Sequence, residues 1–356
     1  MSDYFKERER EMNMRLRQLR EELPEFAEEF FVGIEPRTTV LTRLNYAYDL
    51  RIFFDYLCRR VRCCRDKQPQ DITLSDLEKL TTANLESYLE YLGLYTFEGK
   101  EYSNGERGKA RKISTVRTFF KFFYNRDRLA SDVAAKISLP KLRDKEIIRL
   151  EGREIERILE AAEEGTGMSA HQHKIQRGTR ERDGAILALL LGTGIRVSEL
   201  VGLNVRDIDF ESGAFTVTRK GGGRAILYFN DDVAEALTRY IEGERRRLAE
   251  RAESKGGDED ALFLSMQARR MCVRAVENLV KKYAAVAAPL KTISPHKLRS
   301  TYGTNLYRAT GDIYMVADVL GHRDVNTTKK HYAAIEIDRR KAAAKAVRLT
   351  PEEDED

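Results

Sequence analysis

Cysteine is scarce in this sequence, and its spacing excludes two kinds of cross-linked fold. Cys58, Cys63, Cys64 and Cys272 form no pair of C-x-x-C motifs, the usual arrangement for structural zinc. Four cysteines are also too few for a disulfide framework in a chain of 356 residues. We therefore expect reduced thiols and a cytosolic protein.

Long apolar runs are absent as well. The longest, residues 185–191, is far shorter than the roughly 20 residues that a membrane-spanning helix needs. The N-terminal segment is dense in Arg and Glu and contains no apolar stretch typical of a secretion signal. These patterns predict a protein that is neither embedded in a membrane nor exported.

The sequence has no recognisable metal site. His171 and His173 form an H-x-H in a loop rich in Gly and Arg, but no nearby Cys or third His completes a ligand set. No carboxylates are clustered for the two-metal chemistry of many phosphodiester enzymes. We expect no metal or other cofactor, so charge developing on a phosphate would have to be neutralised by Arg, Lys and His side chains.

Length and charge indicate two domains and a polyanionic partner. The chain is 42% hydrophobic, enough for packed cores, and it is longer than one average domain. Its formal net charge is only +5, but residues 100–145 contain thirteen Lys and Arg residues against five acids. Such a local excess of positive charge, interleaved with aromatic residues, favours binding to nucleic acid.

The first half of the sequence has the periodicity of helices. Apolar residues predict amphipathic helices over 41–57, 85–92 and 113–123, and Ser75-Asp-Leu-Glu78 has the form of a capping box. A turn-rich loop through Gly99 is predicted between the last two helices. Basic residues on the third helix and in the following linker are candidate phosphate contacts, with a solvated helix face as the alternative: Arg111, Lys112, Arg117, Lys121, Lys141 and Arg143.

The second half mixes helices with three short strands. Segments 207–210, 214–218 and 225–229 are rich in Phe, Val, Ile and Tyr and are separated by glycine turns, which predicts an antiparallel sheet. Lys220 lies at the tip of the second hairpin, where an ammonium can give a proton to a leaving oxygen; an exposed lysine without a role is the alternative. The fold class is therefore mainly α with a small antiparallel β-sheet.

An arginine follows directly after a glycine corner. A buried helix over 183–191 is predicted to end at Gly192-Thr-Gly194, and Arg196 and Glu199 then lie three residues apart on one helical face. Arg196 is placed for bidentate contact with a phosphate, with the Glu199 carboxylate orienting a neighbour. The alternative is a surface ion pair.

A second basic pair begins a helix further along the chain. Ser294 and Pro295 have the form of an N-cap and a first helical residue, so His296 and Arg299 lie three apart on one face of the new helix. Both side chains can then reach one anion, whereas a solvated face is the alternative interpretation.

The stretch after that helix supplies a candidate nucleophile. Asp312 is predicted to cap a short helix that ends at Gly321, so His322 follows immediately after a helix end. Tyr332 is the one tyrosine beyond that histidine. A tyrosine hydroxyl becomes a nucleophile when neighbours take its proton and stabilise the phosphate that it attacks; a core or boundary tyrosine is the alternative.

Together these motifs resemble the tyrosine site-specific recombinases, the phage integrase family, and in particular its Xer-like enzymes and the integrases of small mobile elements. The resemblance rests on Gly194-Ile-Arg196-Val-Ser-Glu199-Leu, His296-Lys-Leu-Arg299 and Leu-Gly-His322, in that order. It implies DNA cutting and rejoining through a 3′-phosphotyrosyl intermediate on Tyr332, for integration, excision or dimer resolution. Neither a metal nor a nucleotide is implied.

The same resemblance implies a role for each remaining residue of the set. Arg196, Arg299 and His322 would neutralise the non-bridging oxygens of the phosphate. Lys220 would protonate the leaving 5′-oxygen, and His296 would assist the proton of the tyrosine. Glu199 would hold the constellation in place.

A domain organisation also follows from the resemblance. It implies a C-shaped clamp in which a helical, SAM-like core-binding domain over 37–139 is joined by a linker at 140–146 to a catalytic domain over 147–332. Residues 1–36 would be a charged extension, and 333–356 a C-terminal helix and acidic tail that docks on a neighbouring subunit. The implied partners are double-stranded DNA with inverted-repeat sites and three further copies of the chain, in the cytoplasm at the nucleoid.

Two features depart from the family pattern, and two alternatives stay open. Tyr332 lies ten positions after His322 where nine are usual in the Xer branch, and Arg219 stands where a glycine often precedes the family's lysine. A type IB topoisomerase would share the phosphotyrosine step but act as a monomer. A DNA-binding accessory protein would lack catalysis.

Overall fold

The computed structural model describes residues 3–141, 148–219, 222–255 and 257–321. The chain divides into two compact units, Met1–Lys145 and Glu146–Asp356, and the division falls inside the linker predicted for 140–146. Helices predominate in the described part of both units. The predicted class, mainly α with small antiparallel sheets, is confirmed, although the first unit contains a two-stranded sheet that was not predicted.

The first unit consists of six helices and one hairpin within the described ranges. They are α1 (Asp3–Arg20), α2 (Ala27–Ile34), α3 (Val40–Arg60), α4 (Leu74–Glu78), α5 (Thr82–Tyr91), β1 (Leu94–Phe97), β2 (Lys100–Ser103) and α6 (Glu106–Tyr124). The core lies between α3 and α6, where Phe53, Phe54, Phe119 and Phe120 are all fully buried. Their rings meet mostly edge to face, a favourable aromatic geometry.

The N-terminal segment joins this core. Helix α1 packs along α3, and its Leu16 and Leu19 are 2% and 0% exposed. Phe30 and Phe31 of α2 are buried in the same cluster. Residues 1–36, predicted as a charged extension, therefore contribute apolar side chains to the core of the first unit.

The second unit surrounds one buried helix. Its described elements are α7 (Gly152–Glu164), α8 (Ala170–Gln176), α9 (Arg180–Thr193), α10 (Val197–Leu200), β3 (Ile208–Asp209), β4 (Ala214–Thr218), β5 (Arg224–Tyr228), α11 (Asp231–Tyr240), α12 (Arg246–Lys255), α13 (Val273–Ala287), α14 (Pro295–Thr310) and α15 (Ile313–Leu320). Helix α9 contacts α7, α11 and α14, and residues Ala185, Ile186, Leu187, Leu189 and Leu190 are completely buried. Because α9 is apolar on all sides, its position at the centre is the one that its sequence favours.

The three predicted strands form one antiparallel sheet in the order β3-β4-β5. Strands β4 and β5 are paired from Ala214 opposite Tyr228 to Thr218 opposite Arg224. After Thr218 the chain turns, and the backbone N–H of Arg219 donates to the carbonyl of Gly223 at 2.7 Å. None of the described helices is both long and apolar enough to cross a membrane.

Candidate active site

The two helix starts predicted near the C-terminal end of the second unit are present. Ser294 is the N-cap of α14 in an extended conformation, with Pro295 as the first helical residue, although the Ser294 side chain caps no backbone N–H among the described residues. At the start of α15, Oδ1 of Asp312 accepts hydrogen bonds from the backbone N–H groups of Tyr314 and Met315 at 2.8 and 3.1 Å. Gly321 ends α15 in the left-handed conformation, with φ of 58°.

Arg196 and Glu199 form a local unit at the start of α10. Arg196 is the N-cap residue, and its backbone N–H donates to Oε2 of Glu199 at 3.0 Å. The Arg196 guanidinium donates through Nη1 to Oε1 of the same carboxylate at 2.8 Å. The Glu199 side chain is only 4% exposed and that of Arg196 37%. The two residues therefore form an ion pair in which a buried carboxylate fixes a partly exposed arginine.

Arg299 lies one turn into α14 and is 5% exposed. Its Nη1 donates to the carbonyl of Gly194, which follows α9, and its Nη2 donates to the carbonyl of Leu320, the last residue of α15. Carbonyls at helix C-termini lack partners within the helix and carry the negative end of the helix dipole, so a guanidinium is well suited to join two of them.

The C-terminal end of α15 brings together arginines from distant parts of the sequence. Nη2 of Arg196 lies 3.1 Å from the carbonyl oxygens of both Leu320 and Gly321. Arg299 shares the Leu320 carbonyl with Arg196, and Nη2 of Arg219 reaches the carbonyl of Val319 at 3.4 Å. We call Arg196, Arg219 and Arg299 the arginine cluster.

Negative charge from two sources meets the arginine cluster. Glu199 forms an ion pair with Arg196. The end of α15 adds the equivalent of about half a negative charge. The Arg196 side chain is 37% exposed, so an anion can still reach this guanidinium.

Two glycines permit this close approach. A β-carbon on Gly194 would lie 2.5 Å from the Tyr302 ring and 3.0 Å from a Leu320 methyl group, and a β-carbon on Gly321 would overlap the Arg219 guanidinium. Both residues also have φ near 60°, a conformation that side chains disfavour. Sequence patterns predicted a helix end at each glycine but not the arginines packed against them.

Of the other four residues predicted for the site, the structure describes one, His296. His296 is the second residue of α14 and is exposed, one turn before the buried Arg299. Lys220, His322 and Tyr332 lie outside the described residues. Lys220 follows Arg219 directly in the sequence, and His322 follows Gly321, so both chain segments that meet at the arginine cluster continue into a predicted catalytic residue.

The residues predicted to contact phosphates in the first unit divide into two groups. Arg111, Lys121 and Lys141 are exposed, and Arg117 is partly exposed with Nη2 3.5 Å from the carbonyl of Ala135. Lys112, by contrast, is buried. Arg143 lies outside the described residues.

Lys112 is 6% exposed and faces the interior of the first unit. Its Nζ donates to Oδ1 of Asn104 at 3.1 Å and lies 4.0 Å from Oδ1 of the buried Asp49. Burial lowers the pKa of the Lys112 ammonium, and the charge of Asp49 opposes that shift. In this conformation Lys112 supports the fold and is not available to a phosphate, which corrects the expectation from sequence.

His171 and His173 lie in α8, where a loop was predicted. Nε2 of His173 is 3.1 Å from the carbonyl oxygen of Glu164. Across the described ranges, no group of three or more His, Cys, Asp or Glu side chains is arranged to hold a metal ion. The four cysteines are unpaired thiols.

Sequence reasoning missed the feature that organises the site, the row of carbonyls at Val319, Leu320 and Gly321. Backbone acceptors leave no side-chain motif. The one available signal is Gly321 itself, because a glycine that ends a helix marks exposed carbonyls in the turn before it.

Comparison with known proteins agrees with this geometry. Residues 148–339 match the model of the Phage integrase family. The Tyrosine recombinase XerC of Caldanaerobacter subterraneus subsp. tengcongensis is 33% identical over 290 residues, which cover 80% of this chain and 75% of the relative. The Tyrosine recombinase XerD of Staphylococcus epidermidis is 28% identical over 299 residues, or 84% of this chain and 90% of that one.

Two solved structures share the fold. The XerH site-specific recombinase bound to palindromic difH substrate superposes with a TM-score of 0.60 at 18% identity, covering 86% of this chain and 80% of that chain. The Tn1549 transposon integrase in complex with circular intermediate DNA gives a TM-score of 0.60 at 19% identity, with 85% and 94% covered.

The chain belongs to the phage integrase family. It is a tyrosine recombinase, an enzyme that cuts and rejoins DNA.

Proposed function

We propose that Arg196 and Arg299 hold the scissile phosphate of a DNA strand during site-specific recombination. The observation that carries this proposal is their convergence on the carbonyl of Leu320, one residue before Gly321 and two before His322. Donors fixed in advance stabilise charge that develops in a transition state without the cost of reorganising. Glu199 contributes by fixing Arg196 through its backbone and its guanidinium.

The reaction that this arrangement supports is a transesterification. The Tyr332 oxygen attacks the phosphorus, the bond from phosphorus to the 5′-oxygen breaks, and a 3′-phosphotyrosyl enzyme and a free 5′-hydroxyl result. His296 assists removal of the tyrosine proton, and Lys220 gives a proton to the leaving 5′-oxygen. Arg196, Arg299 and His322 neutralise the non-bridging oxygens. The 5′-hydroxyl of a partner strand reverses the sequence, so the bond energy is retained and no nucleotide is consumed.

The substrate is double-stranded DNA with paired, inverted-repeat sites. XerH is bound to a palindromic difH substrate and the Tn1549 integrase to circular intermediate DNA. The exposed cations Arg111, Lys121 and Lys141 of the first unit support a contact to the DNA backbone. Action on such sites places the protein in the cytoplasm, at the nucleoid.

The proposal is tested by trapping the covalent intermediate. A duplex with a nick close to the cleavage position loses its short 5′-hydroxyl product by diffusion, so the phosphotyrosyl adduct accumulates. Adduct that resists denaturant and forms in excess chelator is the expected result. Stable DNA binding without adduct on any candidate site would instead indicate an accessory protein.

DNA affinity is expected to fall steeply with salt, because each neutralised phosphate releases counterions. Contacts by the three exposed cations of the first unit predict a slope of log affinity against log salt of about −2.7 or steeper. Lys121→Ala should make that slope shallower by about one. Fluorescence anisotropy on a labelled single site measures both values.

Lys112→Ala is the matched control, because Lys112 lies on the same helix but inside the core. It should leave the slope unchanged in the folded protein and lower the thermal midpoint of unfolding. A flat salt dependence for the wild type, or a slope that changes equally in both variants, would contradict the proposed DNA contact by the exposed face of α6.

Assembly on DNA is expected to depend on residues 334–356, which are predicted to dock on a neighbouring subunit and lie outside the described residues. Residues 333–349 are rich in Ala, Arg and Lys, with an apolar stripe that includes Ile335, Ala342 and Ala346. Deleting 334–356 should abolish a tetrameric complex on paired sites and leave binding to a single site intact. Analytical ultracentrifugation with labelled DNA distinguishes these species.

Full-length protein on the same labelled duplex provides the reference for that measurement. Normal tetramers and normal recombination by the truncated chain would overturn the exchange of this segment between subunits. A full-length chain that relaxes supercoiled DNA and never assembles would favour the type IB topoisomerase alternative.

A further inference from the structure

Arg219 connects two chain segments that the proposed reaction needs close together. It follows β4 directly and begins the turn that leads to β5, and its backbone N–H and carbonyl bond to Gly223 and Gly222 at 2.7 and 3.0 Å. Its side chain leaves the hairpin and reaches the C-terminal end of α15, where Nη2 donates to the carbonyl of Val319 at 3.4 Å.

Packing reinforces this single long hydrogen bond. The Arg219 guanidinium occupies the space where a β-carbon on Gly321 would lie, so the two residues are in close contact. Nε of Arg219 is buried without a hydrogen-bond partner among the described residues. A buried donor left without a partner lowers stability, which is easier to reconcile with a positioning role than with a side chain kept for stability alone.

The position of Arg219 in the sequence gives the contact its consequence. The next residue along the chain is Lys220, the proposed proton donor to the leaving oxygen, and the residue after Gly321 is His322. Lys220 is followed in the sequence by three glycines, Gly221, Gly222 and Gly223, and glycine restricts a backbone less than any other residue. An anchor at Arg219, immediately before the lysine, therefore bears directly on where the ammonium lies.

We propose that Arg219 is a positioning residue of the cleavage step, which acts through Lys220 by fastening the turn after β4 to the end of α15. This inference rests on the proposed function, since it takes Lys220 as the proton donor. Arg219 does not itself contact the phosphate in this assignment. Its loss changes how often the ammonium is in place when the 5′-oxygen leaves.

A change of leaving group isolates this effect. In one nicked substrate the scissile phosphate has its normal 5′-oxygen, and in a second that bridging oxygen is replaced by sulfur. A thiol has a pKa near ~8.5, far below that of an alcohol or of water at about 16, so sulfur departs without a proton. Loss of a residue that positions the proton donor should therefore slow adduct formation only on the oxygen substrate.

Three variants are compared with the wild type in single-turnover cleavage. Arg219→Gln removes the guanidinium, and Arg219→Lys keeps the charge and the aliphatic stem but cannot span the same contacts. Arg224→Gln is the matched control, because it removes an exposed arginine from the same hairpin. Affinity for a single site and the thermal midpoint are measured for each, and Arg219→Lys serves as the test variant if Arg219→Gln does not fold.

The expected result is a loss of about 10- to 100-fold for Arg219→Gln on the oxygen substrate, the size typical of a small displacement of a catalytic group. On the sulfur substrate the same variant should cleave within about threefold of the wild type, since proton donation no longer limits the rate. Arg219→Lys should show an intermediate loss on oxygen, and Arg224→Gln should match the wild type on both substrates.

Two results would overturn the inference while the proposed function stands. An equal loss on oxygen and sulfur would assign Arg219 to the phosphate or to the fold, and wild-type cleavage of the oxygen substrate by Arg219→Gln would remove any role. A wild type that forms no adduct with either substrate would overturn the proposed function, and the inference with it.

Discussion

Replacing Tyr332 by Phe is expected to abolish covalent capture of DNA and to leave DNA binding unchanged. Phenylalanine keeps the ring and removes only the hydroxyl that attacks phosphorus. Loss of a nucleophile lowers a rate by about 10⁴-fold or more, because the remaining donors stabilise a bond to phosphorus that can no longer form. No adduct should appear on a nicked substrate at times when the wild type has reacted completely.

The matched control is Tyr314→Phe. Tyr314 is a tyrosine of α15 that is 65% exposed, and the same hydroxyl is removed there. Its adduct yield should equal that of the wild type. Affinity for a single site, measured by anisotropy, should be the same for all three proteins.

The attachment point can be read directly. Trypsin cleaves after Lys330 and Arg339, so a wild-type adduct digested with nuclease and trypsin should show the added nucleotide mass on peptide 331–339. This measurement also addresses the ten-residue interval from His322 to Tyr332. Adduct formed by the Phe variant, or nucleotide mass on another peptide, would refute the assignment of Tyr332.

Local signals in the sequence predicted the elements that carry the site. Pro295 at the start of α14, Asp312 as a cap and Gly321 as a C-terminal residue are chemical requirements of helix ends, and all three are met in the structure. Glu199 three residues after Arg196 is a comparable local relation. Such signals operate over one helical turn, so they can be read without knowledge of the rest of the fold.

Two local features were read incorrectly for physical reasons. The capping box of α4 is formed by Thr73 and Asp76, two residues before the predicted Ser75, since several Ser, Thr and Asp residues compete for one helix start. The hairpin of β1 and β2 was taken for a loop. Glu98 and Gly99 both have positive φ, as a two-residue hairpin turn requires. Tyr95 and Phe97 before them lie on the more buried face of β1.

Tertiary placement could not be predicted from these signals. Lys112 looked like a phosphate contact because its neighbours are basic, yet the buried Asp49 draws it into the core. The arginine cluster depends on Arg196, Arg219 and Arg299 all meeting the end of α15. Arg196 and Arg219 lie 124 and 100 positions from the carbonyls that they reach. Helical periodicity contains no information about contacts between residues so distant in the sequence.

Removing either arginine of the proposed phosphate clamp is expected to slow cleavage by about 10² to 10³, the usual cost of losing one donor to a developing oxyanion. Arg299→Ala should in addition lower stability, because the Gly194 carbonyl loses a buried donor, at about 1–3 kcal/mol for an unsatisfied group, whereas the Leu320 carbonyl keeps its bond from Arg196. Rates must therefore be compared for the folded protein, with unfolding monitored in parallel.

Arg245→Ala controls for that loss of stability. Arg245 is also buried, at 8% exposure, and its Nε donates to the carbonyls of Ala261 and Leu262 at 3.1 and 3.2 Å. The carbonyls that Arg245 bonds, those of Glu259, Ala261 and Leu262, belong to no residue assigned to the site. Its replacement should destabilise the second unit to a similar extent and leave the single-turnover rate of the folded enzyme close to that of the wild type.

A neutral substrate separates charge neutralisation from packing. Replacing one non-bridging oxygen of the scissile phosphate by a methyl group removes the charge that a guanidinium would offset. If Arg196 and Arg299 act on that charge, the loss in either alanine variant should shrink from about 10²–10³ to about tenfold or less on the methyl substrate, because the missing donor has less charge to stabilise. An undiminished loss on the neutral substrate, or wild-type cleavage of normal DNA by both alanine variants, would make the phosphate clamp untenable and leave the end of α15 as a purely structural junction.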